Sequence, residues 1–107
     1  RRETMVCVVY SWEVVPGKPW NETAEILKKM HQYAKETFGQ ESLFMISRTG
    51  KHNRVVISEV HESMGAHEEY MKKVEADAGF KEVVKGMDFP SFLVQGSFAT
   101  EYYDVLE

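Results

Sequence analysis

The sequence is short of the features that mark many functional classes. Cys7 is its one cysteine among 107 residues, so no disulfide can close within the chain and no framework of paired cysteines can hold a metal. A reducing compartment, the cytoplasm, is the expectation. No run approaches the roughly 20 apolar residues of a membrane span. Arg1-Arg2 is not followed by the apolar segment of a secretory signal, so neither membrane insertion nor export is expected. Positive charge is in deficit, with thirteen Lys and Arg against seventeen Asp and Glu, net −4. A mildly acidic surface repels phosphate backbones, which disfavours nucleic acid as a partner. The seven glycines are scattered at turns and helix ends. They form no G-x-G-x-x-G, P-loop or nucleophile elbow, and no nucleotide cofactor is expected.

What remains is ordinary globular stock, 43% hydrophobic and 28% charged. A chain of this length buries roughly two-thirds of its unfolded surface, enough for one core. The reading is a single domain over residues 1–107, with residues 1–4 as a flexible lead-in before the apolar run that opens at Met5.

Met5 to Val15 (MVCVVYSWEVV) is β-branched and aromatic and stops at Pro16-Gly17, a first strand. One face carries Val6, Val8, Tyr10, Trp12 and Val14, the other Met5, Cys7, Val9, Ser11 and Glu13. Both are apolar for most of their length, so both need cover. A first helix is expected from an Asn21 N-cap to a C-terminal Gly39, with Ile26, Leu27, Met30, Ala34 and Phe38 on its buried stripe. Residues 43–48 and 54–60 read as strands joined by the polar turn 49–53. Ser63 caps a second helix that buries Ala66, Tyr70, Met71 and Val74 and turns Glu68, Glu69, Lys72, Lys73 and Glu75 outward. Asp77-Ala78-Gly79 interrupts it, a further helical turn runs to Met87, Phe89-Pro90 ends it, and Phe92 to Leu106 reads as a long last strand.

The order βαββαβ interleaves two right-handed β-α-β halves into an α+β ferredoxin-like sandwich, a four-stranded antiparallel sheet of order 4-1-3-2 with the helices on one face. The other face, still apolar, is most simply covered by a second copy stacked sheet to sheet.

Ile57-Ser58-Glu59-Val60-His61-Glu62-Ser63 leading into Glu69-Tyr70, then Asp77-Ala78-Gly79-Phe80, resembles the acidic strand end, helix start and Asp-x-x-Phe element of the dimeric α+β barrel proteins. These include cofactor-free antibiotic-biosynthesis-type monooxygenases and haem-degrading relatives. The resemblance spans essentially the whole chain. It implies a homodimer whose two sheets close into a barrel, with a small-molecule pocket between each sheet and its own helices. Haem-degrading relatives use an axial histidine shortly after Asp-x-x-Phe, and residues 81–87 contain none. Haem chemistry is not expected.

Of the four histidines, His61 and His67 cluster with carboxylates. His61 and Glu59 share one strand face, where a general base could sit beside an orienting carboxylate. The competing reading is solvated groups at a strand-to-helix junction. A zinc-protease helix needs a second histidine four residues after His67, and that position is Met71. No other His or Cys spacing supplies three ligands, so no metal is expected. Tyr10 and Trp12, two residues apart on a central strand, would wall a pocket between sheet and helices, as would Tyr70; His31, beside the first helix's apolar stripe, could line it too. Each competes with plain core packing. Arg48 and Arg54 flank the hairpin, either to receive a substrate carboxylate or merely to blunt an edge. His52, in the turn, is expected to be exposed.

An RNA-recognition sheet shares the βαββαβ order but needs aromatics on its open face, where the third strand offers Val55, Val56 and Ile57. The functional expectation is a dimer that accommodates a small apolar or aromatic organic molecule. Two versions stand: a cofactor-free monooxygenase-like enzyme, in which His61 or His67 takes a proton from an activated aromatic substrate, and a non-catalytic ligand-binding or structural module.

Overall fold

The computed structural model describes residues 4–47, 53–86 and 88–106. Residues 1–3 of the lead-in, Arg48, the turn residues 49–52 with His52, and Met87 lie outside the described residues.

The elements run β1 (Val6–Glu13), α1 (Trp20–Phe38), β2 (Ser42–Ile46), β3 (Arg54–His61), α2 (Met64–Ala76), α3 (Ala78–Gly86), α4 (Phe89–Phe92) and β4 (Ala99–Asp104). The strands form one antiparallel sheet ordered β2-β3-β1-β4, the expected 4-1-3-2 read from its other edge. This is the α+β ferredoxin-like fold. Register pairs Val8 with Glu59, Tyr10 with Ile57 and Trp12 with Val55. The period-two alternation of β3 therefore buries Val55, Ile57, Glu59 and His61 beneath the helices. Trp12, Val14, Leu27, Val55 and Ile57 form the core, with Trp20, Met30 and Phe44 packed against it.

The opposite face of the sheet carries Cys7 and Val9 of β1, Leu43 and Met45 of β2, Val56 and Val60 of β3, and Tyr103 of β4. Apart from Ser11, which is buried with Arg54 against it, this face is open among the described residues: Leu43 is 65% exposed, and Met45, Val60 and Tyr103 are exposed as well.

Three local expectations are corrected. The N-cap of α1 is Pro19, not Asn21. Its ring presets φ at −64°, and Thr23 Oγ1 donates to its carbonyl at 3.3 Å, so the helix begins earlier and Asn21 falls in its first turn. Phe89-Pro90 does not end a helix but opens the single turn α4, where a proline's missing N–H costs nothing. The long strand from Phe92 is shortened to β4. Leu93 makes only an isolated bridge to Val14, and a turn at Gly96 (φ 82°) breaks the run. There Ser97 Oγ accepts from the Glu13 N–H at 3.0 Å and donates to the Val94 carbonyl at 2.6 Å.

The Gly39 C-terminus of α1 (φ 71°) and the Ser63 cap of α2, which accepts from the Ala66 N–H at 3.1 Å, stand as expected. The break between α2 and α3 has a specific cause. Asp77 Oδ2 accepts both the Phe80 N–H (2.8 Å) and the Tyr33 hydroxyl (2.6 Å), capping α3 and tying it to α1. A side chain at Gly79 would run into the Tyr33 hydroxyl, so the close approach of α1 and α3 requires glycine there.

Candidate functional site

Between the sheet and its helices lies a cavity of about 180 Å³, a size comparable to cavities that hold a single aromatic ring. Trp12, Phe44 and Ile57 of the sheet and Met30, Ala34, Val74 and Phe80 of the helices make its walls apolar. Phe98, half exposed, stacks on Trp12 with ring centroids 6.0 Å apart. Polarity is confined to Tyr10, Ser42, Glu59 and Tyr70.

Behind those groups stand the histidines. Alternation along β3 puts Glu59 and His61 on one face, and their side chains meet at 3.1 Å, His61 Nε2 against Glu59 Oε1. The Ser63 cap fixes where α2 starts, and one turn later His67 turns inward above the sheet. Its Nε2 lies 3.0 Å from the Tyr10 hydroxyl and 4.0 Å from Glu59 Oε1. The Tyr10 hydroxyl is also 3.4 Å from Glu59 Oε1 and 3.6 Å from Met71 Sδ. Ser42 Oγ donates to the other carboxylate oxygen, Glu59 Oε2, at 3.4 Å. The two imidazoles are edge to face with centroids 5.0 Å apart, and His67 also meets Tyr102 at 5.6 Å. Glu59, His61 and His67 are only 5%, 6% and 5% exposed. The solvated-junction reading of these residues is thereby overturned.

Burial sets the proton affinities. His67 is held below the usual imidazole range, first by desolvation and second by the neighbouring His61, against the opposing pull of Glu59. The neutral ring, with a lone pair on Nε2, is favoured. Desolvation first, then the Glu59 charge, pushes Tyr10 and Tyr70 well above the ordinary phenol range. Both stay protonated, and Tyr10 is placed to donate. A carboxylate only accepts, so His61 presents Nε2–H to Glu59, while Tyr10 donates to His67.

Of the residues singled out from sequence, Tyr10, Trp12, Tyr70 and Glu59 line the cavity, while His61 and His67 reach it only through Glu59 and Tyr10. His31 is not a lining residue. Its ring packs on Phe44 at 5.2 Å, off the side of the cavity. Arg54 belongs to the bare face, where Nη2 donates to Ser11 Oγ at 3.3 Å, and cannot meet a ligand in the cavity. Met71, expected on the buried stripe of the second helix, lines the cavity, whereas Ser42 and Phe98 were not singled out. Met71 lies on the same stripe as His67 and Val74, which was readable, but Ser42 reaches Glu59 only through the β2–β3 register. The three potential ligands Glu59, His61 and His67 also come together, ligand atoms all within 4.8 Å, although no spacing in the sequence announced them.

No family model matches the chain, and no curated relative does. Solved structures do. An uncharacterised NIPSNAP-like domain protein from Burkholderia xenovorans superposes with a TM-score of 0.81 at 13% identity, covering 97% of this chain and 87% of its own. A protein of Caulobacter crescentus provisionally assigned as an antibiotic biosynthesis monooxygenase gives 0.68 at 21% identity, over 98% and 92%. SnoaB, a cofactor-independent oxygenase from Streptomyces nogalater, gives 0.67 at 13% identity, over 97% and 95%. The chain thus shares the α+β ferredoxin-like fold of these proteins; at these identities the likeness is one of fold alone.

Proposed function

We propose that this protein binds a small, largely apolar aromatic molecule between sheet and helices and oxidises it without a cofactor. The observation that carries the reading is the hydrogen-bonded set Tyr10, His67 and Glu59 at the one polar end of an otherwise apolar cavity. An acidic C–H or O–H of the ligand, set against the Tyr10 hydroxyl, gives its proton to the Tyr10 oxygen as Tyr10 passes its own to His67 Nε2. The high proton affinity of Tyr10 means that the phenol relays the proton without persisting as an anion. The Glu59 carboxylate, 4.0 Å from the imidazolium so formed, stabilises it. The substrate anion, desolvated by the apolar walls, then reacts with dioxygen. At an activated ring CH₂, one oxygen atom stays as a carbonyl and the other leaves as water with the two hydrogens. The oxygenase fold neighbours support this chemistry as an analogy of fold.

The assembly we propose is a homodimer of this one domain, with the bare faces stacked so that Val9, Leu43, Val56 and Val60 leave water. The single cysteine suits a reducing, cytoplasmic setting; among the described residues no helix is long and apolar enough to cross a membrane. A second reading, a non-catalytic ligand carrier, is favoured by the retreat of both histidines from the cavity wall. The two part on one measurement, dioxygen consumption with a panel of hydroxylated single-ring aromatics. Uptake that is lost in Tyr10→Phe supports the enzyme; tight binding with no uptake across the panel supports the carrier.

A further inference from the structure

We propose that Glu59, His61 and His67 form a binding site for a divalent first-row transition ion, of the zinc or cobalt type, at the buried end of the cavity. Two imidazole nitrogens and one carboxylate oxygen are the donor set of mononuclear sites that keep positions open for water or substrate. His61 Nε2 and Glu59 Oε1 are already 3.1 Å apart, close to the separation of neighbouring ligands about 2.1 Å from one ion. His67 Nε2, at 4.0 Å from the same oxygen, needs to advance by about one ångström. All three ligand atoms lie within 4.8 Å of one another.

Charge supports the site independently. Glu59 is 5% exposed, and its ion-pair contacts among the described residues are with His61 and His67, not with lysine or arginine. A buried carboxylate with no lysine or arginine beside it is a place where a cation is favourable. A divalent cation compensates it and leaves one net positive charge to act on a ligand. The carboxylate is already aimed, because Ser42 Oγ holds Oε2 and so turns Oε1 toward the histidines. His61 moves its proton to Nδ1 on binding, a change of tautomer that frees Nε2. Tyr10 then exchanges its bond to His67 for one to Glu59 Oε1, 3.4 Å away. A metal on His67 Nε2 takes the lone pair that the proton relay uses, so metal-bound and proton-transferring forms exclude one another.

The test is a titration of the chelator-treated full chain with Co(II) at neutral pH, followed by its visible ligand-field spectrum, with no organic molecule present. One equivalent per chain is expected, bound roughly 100-fold more weakly in Glu59→Gln, His61→Asn and His67→Asn, roughly 10-fold more weakly in Ser42→Ala, and unchanged in His31→Asn. Because a buried substitution can disturb folding, the wild-type chain is also followed by imidazole nitrogen NMR during Zn(II) addition. His61 and His67 resonances are expected to shift together, and His31 to stay. No stoichiometric binding, binding that survives in folded His67→Asn, or zinc shifts confined to other histidines overturns the proposal. None of these results bears on dioxygen uptake, so the metal site and the relay fail separately.

Discussion

The Tyr10 hydroxyl and His67 Nε2 stand 3.0 Å apart, joining the middle of the central strand to the first turn of the second helix across 57 residues of sequence. Buried as it is, the imidazole has no bulk water to turn to. Each group sets the other's role: the phenol, held protonated, donates, and the imidazole, held neutral, accepts.

Replacing Tyr10 with Phe deletes the donor and leaves His67 buried without it. Stability is expected to fall by about 1–2 kcal/mol, measured by urea unfolding. If the relay operates, turnover falls by roughly 100-fold or more while ligand affinity changes little. Equal losses in binding and turnover would place Tyr10 as a wall only.

Val9→Asp puts a carboxylate in the centre of the bare sheet face, opposite Ser58 and Glu101 in register. Burial of that charge in a sheet-to-sheet contact is costly. In light scattering the wild type is expected at twice the 12.4 kDa chain mass and the variant at the chain mass. A wild type that is already monomeric would remove the proposed dimer.

Trp12 forms the floor of the cavity and stacks on Phe98, so an aromatic ligand should change its emission. The measurement is made in a Trp20→Phe background, because Trp20 packs beside the same core. Silence across a panel of aromatic and fatty acids argues that the cavity is structural.

Asp77 is held below the usual carboxylate range, first by the Tyr33 hydroxyl and then by the Phe80 N–H. A lowered folded-state value contributes stability that is fully present above the unfolded value of about 3.9 and is lost as pH falls through the folded one. Acidification below about pH 4 should therefore loosen the α1–α3 junction, and Asp77→Asn should flatten that part of the stability profile. Gly79→Ala, which drives a methyl into the Tyr33 hydroxyl, is expected to cost about 1–3 kcal/mol at any pH. Differential scanning calorimetry separates the two effects.

The strand order, the two-faced β1, the Ser63 cap and the interruption at Asp77 were all legible, because each depends on local periodicity or on a residue's own hydrogen-bonding habit. The pairing of Glu59 with His61 followed from period two along β3. His67 was less legible. It shares a stripe with Met71 and Val74, yet its polarity suggested water, and only the approach of α2 to the sheet buries it. Ser42 was illegible, since its role rests on the β2–β3 register. The last strand was overread because aromatic and β-branched residues from Phe92 onward suit a strand even where Gly96 and Ser97 turn the backbone away.

Uninterrupted, residues 64–86 would make a rod roughly 34 Å long, against roughly 27 Å for an eight-residue strand. Such a beam would overshoot the platform beneath it, and its last turns would hang in solvent. The kink at Asp77 folds the overhang back like an eave, bringing Phe80 down over the chamber. Tyr33 is the strut that keeps it there, so a side chain far from the polar end determines how much room a guest molecule finds.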